Sequence, residues 1–312
     1  MRIAVTGASG FVGSTVCAVL GEQGHQVVPM GRKGGGRVDV RNPEYWLGGL
    51  QGVEAVIHLA ARAHIVREDA QDALAAFRST NVEGTRNMVT GALRAGVRRF
   101  VLVSSIGVLG SNSTEREPFS DSTQPAPMEP YAQSKFEAEQ VLRQLTEGTE
   151  TEFVIVRPPL VYGPGVRGNF LRLLRWVAAG APLPFGAIRA QRSFIGVENL
   201  AGLLVNCVTH PRAAGESFVV ADGEDIALPD LLRVLSAAMR KPDRIFRFPV
   251  SLLKVSASLA GRRLDFEKLT AGLRVDAARA RELLQWVPSR PLMAGLRQMA
   301  EWYERESNNR EG

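Results

Sequence analysis

Residues 2–13 read Arg2-Ile3-Ala4-Val5-Thr6-Gly7-Ala8-Ser9-Gly10-Phe11-Val12-Gly13. The apolar run before Gly7 predicts a β-strand, and the pattern over residues 12–23 predicts a helix. Glycines at positions 7, 10 and 13 allow the backbone to approach a pyrophosphate at the amino end of that helix. Because they lie between a predicted strand and a predicted helix, the stretch indicates dinucleotide binding rather than a plain tight turn.

The rest of the first half alternates short apolar runs with longer helical patterns, which is typical of a parallel sheet with crossover helices. Further helices are predicted near residues 71–95 and 131–146. The predicted strands are Arg2–Thr6, Gln26–Met30, Arg37–Val40, Ala55–Leu59, Phe100–Ser104 and Phe153–Arg157. The sequence therefore predicts an α/β fold, a Rossmann-type doubly wound parallel sheet.

After Arg157 the pattern changes to short elements rich in proline and glycine, which indicates a second lobe. We expect the dinucleotide-binding domain to span residues 1–157, with the chain returning to it at about 190–222. A smaller α/β lobe at the carboxyl end, made of residues 158–189 and 223–312, is expected to bind the substrate.

Composition limits the classes of function. No apolar run in the 312 residues approaches the roughly 20 needed for a membrane-spanning helix, and the start does not resemble a signal peptide. We therefore expect a cytoplasmic protein. The net charge of +6 is compatible with a polyphosphate ligand, and because the arginines are scattered we expect no nucleic-acid partner. Cys17 and Cys207 lack metal-ligand spacing, so no metal site is expected.

The end of the second strand bears on the choice of cofactor. NAD-binding proteins usually place a carboxylate there, on the adenosine ribose, but this chain has Arg32 and Lys33. Two cations could receive a 2′-phosphate, so NADP(H) is favoured over NAD(H), although a solvated turn is the alternative. Asp39, with Val40 beside it, is a candidate partner of the adenine, and a capping or turn role is its alternative.

Tyr131 and Lys135 are the candidate acid-base pair. Four residues apart on a predicted helix, their side chains share one face. A free phenol titrates near 10, and a neighbouring ammonium favours its ionised form. We therefore expect Lys135 to lower the pKa of Tyr131.

Several motifs together resemble the extended short-chain dehydrogenase/reductase family, the nucleotide-sugar epimerase/dehydratase group. Besides the glycine loop and the Tyr131 to Lys135 pair, they are His58-Leu59-Ala60-Ala61, Asn81-Val82-Glu83-Gly84-Thr85, Val108-Leu109-Gly110 and Arg157-Pro158-Pro159-Leu160-Val161-Tyr162-Gly163-Pro164-Gly165. The resemblance covers nearly the whole chain.

The resemblance implies roles for individual residues. Tyr131 would be the acid-base group, Lys135 would also hold the nicotinamide ribose, and Ser105 would bond the same substrate oxygen. Asn169 and Arg192 would bind the nucleotide diphosphate, with a helix cap as the alternative for Asn169. The implied cofactor-binding residues are Gly7, Ser9, Gly10, Phe11, Val12, Gly13, Arg32, Asp39, Val40, Leu59, Ala60, Ala61, Asn81, Val103, Tyr131, Lys135 and Pro158.

Four further positions carry other expectations. His58 lies inside an apolar strand and is expected to be structural, and Asn81 is expected to order backbone or water rather than touch substrate. Ser193 and Asn199 depart from the family's usual aspartates, which leaves their local geometry open.

The resemblance also narrows the reaction. Dehydratases of the family carry an Asp-Glu pair after the catalytic Ser or Thr, whereas this chain has Ile106-Gly107. We therefore expect chemistry at C4 of a UDP-linked hexose or N-acetylhexosamine in bacterial surface polysaccharide biosynthesis. A 4-ketoreductase ranks first, a 4-epimerase with tightly bound NAD second, and a non-catalytic dinucleotide sensor or scaffold is the alternative from another class.

The sequence also bears on a dimer interface and on contact with a membrane surface. Relatives commonly form dimers through the helices holding Thr85–Arg94 and Tyr131–Gln144, so we expect a homodimer. The apolar and basic segment from Pro249 to Arg263 is read as a buried helix ending in solvated arginines, with a membrane-surface helix as the alternative and no stable membrane insertion.

Overall fold

A six-stranded parallel sheet is the centre of the molecule, whose computed structural model describes residues 1–31, 48–63, 70–114, 116–261 and 263–311. The strand order is β2-β1-β3-β4-β5-β8. These strands are β1 (Arg2–Thr6), β2 (Gln26–Met30), β3 (Ala55–His58), β4 (Arg99–Val103), β5 (Glu152–Arg157) and β8 (Ser217–Val219). The chain crosses from β2 on one side of β1 to β3 on its other side, with Ile3 opposite Ala55. That reversal creates the crevice at which doubly wound sheets bind ligands.

Helices cover both faces of this sheet, which explains why its central strands are almost wholly apolar. On one face, α1 (Phe11–Glu22) and α6 (Val197–Thr209) pack against a core that includes Val5, Ile57 and Val101. On the other face, α3 (Glu83–Arg94) and α4 (Pro130–Thr146) enclose a second core.

The structure divides the single helix predicted over residues 71–95 into three consecutive segments. They are α2 (Ala70–Phe77), a five-residue π-helix (Arg78–Val82) and α3. A π-turn widens the helix locally and often occurs at functional sites. Here it contains the buried Asn81.

The carboxyl-terminal part contributes a three-stranded sheet in the order β6-β7-β9 and most of the remaining helices. Its strands are β6 (Leu160–Tyr162), β7 (Gln191–Gly196) and β9 (Asp225–Ala227), and its helices are α5 (Gly168–Ala178), α7 (Leu228–Ala238), α8 (Val250–Leu259), α9 (Arg263–Thr270), α10 (Ala278–Leu284) and α11 (Leu292–Glu311). A separate core, centred on Phe170, Leu232 and Leu296, lies here. By contrast, β8 pairs with β5 at the edge of the main sheet, and α6 packs on that sheet.

The predicted α/β class and the Rossmann-type parallel sheet are confirmed. Each predicted strand that can be compared agrees with an observed strand to within one residue at either end, while the strand predicted at 37–40 lies outside the described residues. The interpretation of residues 249–263 as a buried helix is wrong, because α8 has no buried residue. None of the described helices is long and apolar enough to cross a bilayer.

Candidate active site

The glycine loop borders the crevice between β1 and β3. Gly7 adopts a φ of +68°, and a Cβ there would lie 3.1 Å from the backbone nitrogen of Ala60. A Cβ at Gly13 would lie only 2.1 Å from the carbonyl oxygen of Gly7, so α1 can start this close to β1 only with glycine. The first turn of α1 carries no acidic side chain, so its free N–H groups suit a pyrophosphate. The loop therefore fits a dinucleotide.

Thr6, at the end of β1, holds the residues that follow β3. Its Oγ1 accepts hydrogen bonds from the backbone N–H groups of Leu59 (3.1 Å) and Ala60 (3.0 Å) and lies 2.9 Å from Nδ1 of His58. Because those N–H groups occupy the oxygen's lone pairs, the hydroxyl proton is directed to Nδ1. Burial, with a smaller contribution from Lys135, lowers the pKa of His58 to about 3. His58 is thus a neutral structural residue, as expected.

Ser105 lies in the turn that follows β4. Its Oγ accepts a hydrogen bond from the N–H of Gly107 at 3.1 Å and caps a short 3₁₀ turn, while the N–H of Ile106 donates to the carbonyl of Pro158. A Cβ at Gly107 would lie 3.4 Å from both Ser105 Oγ and Ala132 Cβ, so this turn packs on the first turn of α4. Ser104 is instead buried and donates its N–H to Val156.

The first turn of α4 holds Tyr131. Pro130 occupies a position where a missing N–H costs nothing, and the half-buried Tyr131 ring meets Phe77 edge-on at 5.7 Å between centroids. Burial raises the pKa of Tyr131 to about 12. Burial thus acts against the lowering expected from Lys135, which stays a prediction.

Lys135 is almost fully buried in the next turn of α4. Burial lowers its pKa to about 8, and the carboxylate of Glu139, one turn further on, acts in the opposite direction. Glu139 is itself buried and paired with both Nε (3.0 Å) and Nη2 (2.6 Å) of Arg157. No role was predicted for this pair, although the four-residue spacing from Lys135 to Glu139 is a signal that could have suggested one.

Asn81 joins three parts of the site. Its Oδ1 accepts from the N–H of Arg62 at 2.8 Å, and its Nδ2 donates to the carbonyl of Arg62 and to Ser134 Oγ. Ser134 Oγ in turn donates to the carbonyl of Tyr131. The amide thus orders backbone and links α4 to the segment that follows β3, in agreement with the expectation, and its predicted cofactor contact stays a prediction.

The predicted substrate residues lie in the carboxyl-terminal part. Asn169 is exposed in the first turn of α5, where it accepts a hydrogen bond from Arg172. The alternative role as a helix cap is wrong, because Arg167 is the capping residue and Asn169 lies inside the helix. Arg192 on β7 is half-buried, burial lowers its pKa, and its Nη1 donates to the carbonyl of Lys268.

The two departures from the family pattern have structural partners. Ser193 Oγ donates to Asp225 and accepts from the N–H of Val275 at 2.8 Å. Asn199 Nδ2 donates to Asp222 Oδ1 at 2.7 Å and to the carbonyl of Arg290. Asp222, which sequence analysis did not single out, also accepts from Tyr162 Oη at 2.7 Å.

The remaining predicted cofactor residues divide into three groups. Phe11 and Val12 open α1, Leu59, Ala60 and Ala61 follow β3, and Val103 ends β4, so they reach the same edge of the sheet as Ser105. Ser9 and Gly10 are exposed in the loop. The positions of Arg32, Asp39 and Val40 lie outside the described residues. Among the residues that the structure describes, no cluster of potential metal ligands occurs.

Comparison with known proteins agrees with this geometry. The chain is 35% identical to a Vibrio cholerae protein described as a UDP-glucose 4-epimerase. The match covers 99% of this chain and 97% of that protein. It is 28% identical, over 81% of its length and 77% of the relative, to the N-acetyl-alpha-D-glucosaminyl-diphospho-ditrans,octacis-undecaprenol 4-epimerase of Escherichia coli O157:H7.

Solved structures share the fold. A UDP-glucose 4-epimerase of Thermotoga maritima with UDP-glucose superposes with a TM-score of 0.78, covering 98% of this chain and 100% of that one at 23% identity. Residues 3–221 match the sequence model of one enzyme family. The chain belongs to the NAD dependent epimerase/dehydratase family.

Proposed function

We propose that the protein is a 4-epimerase that inverts C4 of a UDP-linked hexose or N-acetylhexosamine with retained NAD. The observation that carries the proposal is the packing of the Ser105 turn on the first turn of α4, which holds Tyr131, with Lys135 one turn further along the helix. The full-length likeness to the Vibrio cholerae protein described as a UDP-glucose 4-epimerase supports this choice, although the sequence alone favoured ketoreduction.

In this mechanism the protein holds and moves one proton at the C4 oxygen. NAD, when bound, supplies the acceptor and donor of hydride. Tyr131 accepts the proton of the C4 hydroxyl as a phenolate when C4 is oxidised and returns it as a phenol when C4 is reduced, and Ser105 Oγ orients the same oxygen. Because burial raises the pKa of Tyr131 to about 12, forming the phenolate requires a neighbouring positive charge. Lys135 is placed to favour the ionised phenol during oxidation, and Glu139 opposes the burial that would discharge Lys135.

Arg192 is the proposed anchor for the diphosphate. Its guanidinium carries five donors, of which Nη1 already bonds the Lys268 carbonyl. The remaining donors suit two phosphate oxygens, and partial burial strengthens such a contact. Asn169 is the proposed second contact, since it is exposed at the start of α5.

A 4-ketoreductase that uses NADP(H) is the second candidate. The specific observation in its favour is the pair Arg32 and Lys33 where an NAD enzyme usually has a carboxylate. A reductase consumes its cofactor and must release it, whereas an epimerase regenerates it at each turnover. Quantifying the dinucleotide freed when the purified protein is denatured separates the two.

The decisive experiment combines that measurement with turnover. Near-stoichiometric NAD(H), together with interconversion of UDP-glucose and UDP-galactose or of their N-acetyl forms, supports the epimerase. An empty protein that prefers NADPH and reduces a UDP-4-keto sugar supports the reductase. Tight dinucleotide binding without turnover of any sugar nucleotide would support the sensor or scaffold.

Tyr131→Phe tests the assigned acid-base group. We expect kcat to fall about 10²–10⁴-fold, because the variant keeps the ring and loses the transferable proton. Tyr303→Phe, which removes a hydroxyl from a half-buried tyrosine of the carboxyl-terminal core, is the matched control and should retain activity. Full activity of Tyr131→Phe would refute the assignment.

The homodimer and the cytoplasmic location stay predictions. The helices proposed to pair are α3 and α4, which hold Thr85–Arg94 and Tyr131–Gln144. Light scattering of the purified protein across a concentration series checks the dimer.

A further inference from the structure

Exposed apolar side chains are concentrated in one segment of the molecule. Of the eleven large apolar residues that the described part of the chain exposes, six lie within residues 246–259. We call them the apolar patch: Phe246, Phe248, Val250, Leu252, Val255 and Leu259. The other five are scattered along the chain. A concentrated exposed patch marks a surface that contacts something, whereas scattered apolar residues need no explanation.

Helix α8 presents two different faces. Leu252, Val255 and Leu259, at spacings of three and four, form one stripe with exposed fractions of 54%, 56% and 85%. Leu253 and Ala257 lie on the opposite side and are half-buried, with Leu253 packed on the carboxyl-terminal core. The helix therefore packs on the protein through the face that carries Leu253 and Ala257. The stripe on its other face remains exposed.

The charges within the segment that carries the apolar patch have one sign. Residues 244–261 contain three basic residues, Arg244, Arg247 and Lys254, and no acidic residue. All three are exposed. Two acidic residues adjoin the segment: Glu267 on α9, whose Oε1 lies 3.5 Å from Lys254 Nζ, and Asp243, whose Oδ1 accepts from the N–H of Ile245 and whose Oδ2 lies 3.3 Å from Nε of Arg233. An apolar stripe flanked by cations matches the interface of an anionic bilayer, where acyl chains accept the stripe and headgroups attract the cations.

A second copy of the chain fits this surface less well. A two-fold contact would place the same patch on both subunits and bring the exposed arginines together. Like charges so juxtaposed oppose association. The charge pattern therefore selects an anionic lipid surface over self-association.

The apolar patch lies next to the substrate end of the candidate active site. Lys254 contacts Glu267 near the carboxyl end of α9, and the next residue, Lys268, lies 3.0 Å from Glu129, two residues before Tyr131. The carbonyl of Lys268 also accepts the hydrogen bond from Arg192. We propose that the apolar patch holds the protein peripherally on an anionic membrane surface, with the mouth of its cleft beside the bilayer.

Vesicle sedimentation of the full-length protein tests the proposal. We expect wild type to sediment with vesicles of phosphatidylcholine mixed with phosphatidylglycerol, and much less with phosphatidylcholine alone. Replacing Leu252, Val255 and Leu259 together by serine should weaken binding about tenfold or more, since the aliphatic groups that enter the interface are removed. Arg244→Gln with Arg247→Gln should weaken only the binding that depends on anionic lipid.

Val287→Ser with Met293→Ser is the matched control, because these residues are exposed outside the patch and their loss should leave sedimentation unchanged. The proposal is overturned if wild type stays in the supernatant with both vesicle types, or if the triple serine variant binds as wild type does. Patch-dependent dimers in light scattering without vesicle binding would overturn it in favour of a second copy. Because sedimentation needs no turnover, its outcome is independent of the proposed epimerase activity.

Discussion

Two glycines of α1 differ in whether the structure has room for the methyl group of an alanine. A Cβ at Gly13 would meet the Gly7 carbonyl oxygen at 2.1 Å, whereas one at Gly21 has no heavy atom within 4 Å. We expect Gly13→Ala to destabilise the protein by roughly 1–3 kcal/mol and to weaken NADH binding by pushing the helix away from the loop. Gly21→Ala in the same helix should stabilise it by up to about 1 kcal/mol.

Urea unfolding and NADH titration of both glycine variants measure these effects. Equal stability and equal NADH affinity in Gly13→Ala and Gly21→Ala would contradict the close approach of α1 to the loop.

His58 makes the fold sensitive to acid. Its pKa in the folded protein is about 3, against 6.5 when free, so the unfolded chain binds the extra proton first. Its contribution is fully present above pH 6.5 and is lost as the pH falls toward 3, at up to about 1.4 kcal/mol for each pH unit. His58→Asn should flatten the dependence of unfolding free energy on pH in this window.

The control for His58 is Phe100→Leu, which alters the ring packed against His58 at 5.8 Å without removing a titrating group. It should keep the wild-type slope. A slope in His58→Asn as steep as in wild type would assign the acid sensitivity to other residues.

At the scale of single elements, α4 offers a comparison between two ion pairs. Glu139 and Glu137 each lie 2.6 Å from an arginine, but the pair with Arg157 is buried and the pair with Arg78 is half exposed. Glu139→Gln leaves the buried guanidinium of Arg157 without its carboxylate partner, which should lower the free energy of unfolding by about 3–5 kcal/mol. Glu137→Gln should lower it by less than about 1 kcal/mol. Thermal unfolding checks the difference.

Glu139→Gln has a second readout. Because Glu139 raises the pKa of Lys135 against the effect of burial, its removal should move the alkaline limb of kcat/KM to lower pH. Glu137→Gln should keep the wild-type profile. An unchanged profile in Glu139→Gln would limit Glu139 to a structural role.

The strands were predictable because burial on both faces leaves an apolar run with sharp ends, as in Ala55 to His58. The glycine loop and the spacing of Tyr131 and Lys135 were likewise visible in the sequence. The split of the helix over residues 71–95 was not, because a π-turn keeps the same periodic residues and depends on the tertiary contacts of Asn81. The exposure of α8 was missed because an apolar segment does not reveal what covers it.

The whole molecule depends on how its two sheets are joined. Asp222, just after β8, accepts hydrogen bonds from Tyr162 on β6, from the Gly196 N–H at the end of β7 and from Asn199 on α6. Burial raises the pKa of Asp222, and these donors counteract that rise. One carboxylate thus links the main sheet to the carboxyl-terminal sheet.

Tyr162→Phe tests this link, since it keeps the buried ring and removes one donor from the carboxylate. We expect a loss of about 1.5–3 kcal/mol in unfolding free energy, the range for a hydrogen bond to a charged group. Tyr303→Phe, from the same core, should change it by no more than about 0.5 kcal/mol. Urea unfolding followed by circular dichroism compares them. Equal losses in the two variants would mean that Asp222 does not join the sheets energetically, and the packing of α11 against Tyr162, where a Cβ at Gly295 would lie 2.5 Å from its Oη, would then be the stronger tie.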